Sequence, residues 1–182
     1  MKLINNQETL LFDEIKIHLA EGSEVFISAS YFTVNAIFEL ALELNKVKRI
    51  QILIDSDVLQ DIRFAYDEKE FGKNLELRGK YKAETTFATV KDKCQIRYGN
   101  MGGQKFILIK NDGKTHCFSI APHDINLISF GLLPSKNPVI TTSFEDMGDQ
   151  YLTLFNQFWA NSTRDIKDGV LALIQKADDN ES

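Results

Sequence analysis

Proline, cysteine and histidine are all scarce: 182 residues hold three prolines, two cysteines, three histidines and one tryptophan. So few prolines, with ten glycines and no internal repeat, exclude collagen-like and proline-rich chains. Cys94 and Cys117 make no CxxC pair, and no histidine stands near them at ligand spacing. The sequence therefore offers no disulfide framework or zinc site and points to a reducing compartment. No apolar run reaches the roughly 18 residues needed to cross a bilayer. Charges interrupt the first apolar stretch, so no signal peptide is read, and the expected location is cytoplasmic. A net charge of −5 argues against coating nucleic acid by bulk electrostatics, while a local basic strip could still contact phosphates.

What remains is a globular composition, 43% hydrophobic and 26% charged, in a length suited to one domain over 1–176, with an acidic end over 177–182 expected to be disordered. Leu11, Ile15 and Leu19 recur every four residues before Gly22, which predicts an amphipathic helix over about 8–21. Its polar face would leave His18 in solvent. Glu24-Val-Phe-Ile-Ser-Ala-Ser30 reads as a strand, the stripe Val34, Ile37, Phe38, Ala41, Leu44 as a helix, and Ile50-Gln-Ile-Leu-Ile54 as a second strand. That succession is a βαβ unit with parallel strands.

Residues 57–93 alternate charge sign and read as one or two solvated helices carrying Arg63, Lys69, Lys73, Arg78, Lys80, Lys82, Lys91 and Lys93. Three strands follow: Gln95–Tyr98, Lys105–Ile109 and Thr115–Ile120, the last two joined by a turn at Asn111-Asp-Gly113. Pro138–Thr142 reads as a further strand. Ser143 and Asp146 have the spacing of a capping box, opening a helix whose stripe is Met147, Tyr151, Leu154, Phe155 and Phe158. Phe155, Phe158 and Trp159 are read as core. Ile166, Val170, Leu173 and Ile174 mark a last helix. The fold class is α/β, or mixed α+β, with a sheet flanked by helices.

Glu24–Phe38, with a strand ending in small residues and Tyr31-Phe32 leading into a helix, resembles the opening of phospholipase D-like domains. Gly103-Gln-Lys-Phe-Ile-Leu-Ile109, the turn at Asp112-Gly113, and Asn126-Leu-Ile-Ser-Phe-Gly-Leu132 fall where that family carries its signature. That signature is a His-x-Lys strand, an Asp, and a Gly-Ser-x-Asn segment followed by Gly-Leu. Thr141–Trp159 resembles the closing helix of the restriction-endonuclease and helicase-associated members. The resemblance implies phosphodiester chemistry without a cofactor: a histidine attacks phosphorus, the lysine two residues on neutralises phosphate oxygens, and a second histidine protonates the leaving group. It also implies a homodimer, since one copy of the motif makes half a site, and nucleic acid or a larger helicase or restriction protein as partner.

The signature is degenerate here. Lys105 fits the lysine and Asn126 the asparagine, but Gly103 stands where the nucleophile belongs, and Lys110 stands where the family has Asp. Asp112 would replace that Asp only with two residues inserted, and His123 and Asp124 replace the Gly-Ser pair. Three readings stay open. In the first, the domain is catalytically degenerate and binds phosphate through Lys105, Asn126 and Lys110, helped by Arg97 and Lys114. In the second, a metal-independent nuclease is restored by a displaced histidine, either His116 facing Lys105 across the hairpin or His123 held by Asp124. In the third, the chain is a protein-interaction module without a phosphate site. No metal set is read: Asp55 and Asp57 follow a strand, where capping of the next helix accounts for them as well as Mg²⁺ does. Asn100-Met-Gly-Gly103 lacks the Gly-Lys-Ser/Thr continuation of a phosphate loop.

Overall fold

Central strands whose successive residues are buried on both sides can be stable only if both faces of their sheet are covered. β2 (Glu24–Ala29), β3 (Arg49–Ile54) and β5 (Phe106–Asn111) each bury four or five residues in a row, and the computed structural model places them side by side within a sheet of eight strands. It describes residues 1–55, 88–99, 101–162 and 164–172. The remaining strands are β1 (Lys2–Ile4), β4 (Cys94–Tyr98), β6 (Lys114–Ser119), β7 (Thr141–Phe144) and β8 (Arg164–Asp165). The order across the sheet is β1-β7-β6-β5-β2-β3-β4-β8. β2, β3 and β4 run parallel, as the predicted βαβ unit requires, and β5 turns the sheet antiparallel against β2. The β5–β6 hairpin closes at Asp112-Gly113, both at positive φ.

One face is covered by α1 (Leu11–His18), α2 (Val34–Glu39) and α3 (Ala41–Leu44). Leu11, Ile15 and Leu19 pack there with Ile27, Ile107, Ile109 and Phe118. The other face is covered by α4 (Gly148–Asn161), whose Leu152 and Phe155 meet Phe26, Phe106, Leu108 and Cys117. Residues 106–109 thus alternate between two cores rather than between core and solvent. Six phenylalanines are fully buried in these layers, each contributing roughly 2–3 kcal/mol. Cys94 and Cys117 are both free and belong to the two different cores, and burial pushes each thiol up to about 12.

Several boundaries differ from the sequence expectation. α1 is shorter than 8–21 because Leu19 leaves helical geometry and its N–H is taken by Lys16 O. The second predicted helix is divided at Leu40, where the backbone flattens to φ −91°, ψ 3°. The capping box does not form: Ser143 is inside β7, paired with Phe118 and Lys2, and α4 begins at Gly148 without a side-chain cap. The strand expected at 138–142 is shifted to Thr141–Phe144 for the same reason. Met147, expected on the α4 stripe, is exposed, and Leu152 takes its place in the core. β1 and β8 were not legible as strands, being three and two residues long. Asp57, Arg63, Lys69, Lys73, Arg78, Lys80, Lys82, Leu173 and Ile174 lie outside the described residues.

Gly148 begins α4 because the helix there touches the backbone of β6. A Cβ at this position would sit 1.7 Å from Thr115 O. Gly148→Ala is expected to push α4 off the sheet and to cost about 3 kcal/mol or more, read as a lower urea midpoint at unchanged slope. A midpoint within error of wild type would show that the contact is easily relieved.

Candidate functional site

The residues that carried the resemblance are spread over a hundred positions of sequence, and the fold gathers four of them at one place. β2 ends at Ala29, and the chain continues through Ser30, Tyr31 and Phe32 into α2. The segment after β6 returns to run beside it: Phe32 bridges Ile125 in parallel, Thr33 N–H donates to Ile125 O at 2.8 Å, and Ile125 N–H to Tyr31 O at 3.4 Å. Lys105 lies just before β5, with Ile120 N–H on its carbonyl at 3.0 Å. Tyr31, Lys105, Asp124 and Asn126 are thereby brought together at the C-terminal end of β2.

Asp124 organises the cluster. Its Oδ1 accepts the backbone N–H groups of Ser30 at 2.7 Å and Tyr31 at 3.3 Å, and its Oδ2 accepts the Lys105 ammonium at 2.7 Å. Lys105 Nζ donates also to Pro122 O at 3.3 Å. The two side chains are only 14% and 9% exposed, so the pair is largely shielded from water. Asn126 is engaged as well: Nδ2 donates to the Tyr31 hydroxyl at 3.2 Å, and Oδ1 accepts Ser129 N–H at 2.8 Å, which holds the 126–129 turn.

The position where the resemblance implies a nucleophile is equally defined. Gly103 is exposed, at φ 77°, in the turn before Lys105. A side chain there would be strained in the left-handed region, and it is not part of a strand. The two-residue alternation that would aim a histidine and Lys105 to one face is therefore missing along with the histidine.

Neither displaced histidine makes the predicted arrangement. His116 does not face Lys105: it pairs with Ile109, four residues along the strand, which is about 13 Å away at the strand rise. It stacks instead on His18 at 3.8 Å, so His18 is not the solvated residue its position on α1 suggested. His123 adjoins the cluster in sequence, and its N–H closes a turn on Ile120 O at 2.9 Å. The Asp124 carboxylate turns instead to Ser30, Tyr31 and Lys105.

The expected positive field is also dispersed. Lys110 is five residues from Lys105, about 16 Å, and on the other face of β5. Lys114 pairs with Glu145 at 3.1 Å. Arg97 caps α4, donating to Trp159 O at 3.2 Å and Ser162 O at 3.1 Å with its guanidinium 4.5 Å over the Trp159 ring. Lys93 donates to Asn45 O and Val47 O. Asp55 follows β3, with its N–H on Ala29 O. Among the described residues no group of three His, Cys, Asp or Glu side chains could hold a metal ion, and no helix is long and apolar enough to cross a membrane. Sequence reasoning missed the roles of Tyr31 and Asp124 as partners of Asn126 and Lys105. The Tyr-Phe step after β2 was the only signal for the first.

No protein-family model matches the sequence, and no curated protein is significantly similar to it. Among solved structures the chain is similar to TrmBL2, an archaeal chromatin protein whose structure shows a novel mode of DNA binding. The identity is 14% and the TM-score 0.47, over 88% of this chain and 52% of that one, so the chain spans about half the length of that structure.

Removing one member of a shielded ion pair strands the other. Asp124→Ala and Lys105→Met are each expected to lower unfolding free energy by about 3 kcal/mol, and the double variant to lose clearly less than the sum. Chemical denaturation of the four proteins reads this directly; additive losses would show that the two groups do not act together.

Proposed function

We propose that this chain is a phospholipase D-like domain that has lost phosphodiester chemistry and serves as a binding and dimerisation module in a DNA-processing system. One observation carries the loss of chemistry: the Lys105 ammonium is closed by the Asp124 carboxylate, and Gly103, two residues before it, has no side chain to attack with. The gathering of Lys105 and Asn126 at one end of the sheet supports the family reading, because the resemblance assigns that lysine and that asparagine to one site.

A covalent phosphoryl step needs a nucleophile within bonding reach of phosphorus and a cation for the oxygens. Here Gly103 supplies no nucleophile, and the cation is neutralised from within. A phosphate at Lys105 would compete with Asp124 for the ammonium. Nucleic-acid binding in this pocket is accordingly weak, steeply salt-dependent and indifferent to sequence, since phosphate contacts position a protein without reading bases. The reading includes a two-fold homodimer, which light scattering would report as twice the 20.7 kDa chain mass.

Neither a chromogenic phosphodiester nor DNA is expected to be turned over, with or without EDTA. Cleavage abolished by His123→Ala would replace this reading with that of an active nuclease. For binding, a labelled single strand is followed by fluorescence anisotropy at low and at physiological salt. Asp124→Asn keeps the acceptor for Ser30 and Tyr31 but frees the ammonium, so it is expected to tighten binding about tenfold at low salt, while Lys105→Met weakens it. Identical affinities in all three proteins would take phosphate binding away from this pocket and leave a protein-interaction module.

A further inference from the structure

His18, the last residue of α1, and His116, on β6, lie with their rings stacked at 3.8 Å and 19° from parallel. Phe118 meets both, edge-on to His18 at 5.6 Å and tilted to His116 at 4.9 Å. Neither ring nitrogen of His116 has a hydrogen-bond partner among the described residues, although both are buried. An unpartnered buried polar group calls for an explanation, and nothing in the Lys105–Asp124 cluster uses it.

Two imidazoles at this separation, packed on a phenylalanine, form an apolar contact while neutral. Charging both would place two cations a ring-thickness apart, with the His116 N–H groups still unsolvated. Among the described residues four charged groups face the pair. Glu14 lies one turn back on α1, Lys2 and the N-terminal amine come from the β1 end, and Glu145 from the β7–α4 connection. Glu145 is itself held by Lys114, and Glu14 by Lys2. The carboxylates and the C-terminal end of the helix favour the charged rings; burial opposes them and prevails.

We propose that the His18–His116 stack is an acid-sensitive clasp that fastens the C-terminal end of α1 to the sheet while both rings are neutral and releases it on protonation. The sign follows from linkage. Burial, and for His116 also the neighbouring His18, hold both rings below the ordinary value of 6.5. The unfolded or unclasped chain therefore binds more protons below that value. The clasp's contribution is complete above pH 6.5 and is lost as pH falls through the lowered midpoints. Release would uncover the apolar side of α1, with Ile15 and Leu19, and the sheet residues Ile109 and Phe118 beneath it.

The test is histidine NMR on the full chain, joined to hydrogen exchange of the α1 amides between about pH 7.5 and about pH 5, corrected for intrinsic rates. His18 and His116 are expected to titrate below 6.5, and the His116 midpoint to rise in His18→Phe. Exchange in α1 relative to β5 should accelerate on acidification, about tenfold for each unit by which a midpoint is lowered. The double variant His18→Phe/His116→Phe keeps an aromatic stack without titration and should lose that acceleration. Wild-type midpoints at or above 6.5 would overturn the proposal even if the variant failed to fold, and so would acid opening of α1 that persists in the double variant.

Discussion

Everything in this molecule depends on the burial of β2, β3 and β5 from both sides. Their side chains alternate between two apolar layers, so α1–α3 must lie on one face and α4 on the other, and no other arrangement removes those strands from water. This constraint fixes where the connections run. The chain leaving β2 must pass over the sheet's end into α2, and the chain leaving β6 must return over the same end before it reaches β7.

Two loops forced together over a sheet end carry backbone N–H groups that need acceptors. Asp124 supplies one for Ser30 and Tyr31, and Lys105 balances the resulting buried charge. The carboxylate and the ammonium therefore satisfy one another inside the chain, and Gly103, in the exposed turn before Lys105, adds no side chain to the cluster.

The histidine pair follows from the same layering. α1 is anchored at its start by Leu11 N–H on Asn6 Oδ1 and Phe12 N–H on Phe130 O, and along its length by Leu11 and Ile15. Its end is held by buried Leu19 and by the turn that follows, where Ala20 N–H donates to Ser23 Oγ, and the His18 stack on His116 adds a titratable contact there.

The sequence by itself determined the parallel βαβ unit, the β5–β6 hairpin and the aromatic core around Phe155, because periodicity and turn chemistry are local properties of consecutive residues. It also determined that Gly103 cannot attack phosphorus. Tertiary structure alone decided where α4 begins, since the close approach of Gly148 to Thr115 outweighed the Ser143 and Asp146 capping pattern. It likewise decided the fates of the charged and titratable residues. Lys105 was legible as a strand-end lysine, but its partner is nineteen residues away across a loop. His18 and His116 are ninety-eight residues apart and meet only because a helix and a strand share a face. Pairings of this kind depend on which elements the two-sided core forces into contact, and no spacing along the chain encodes them.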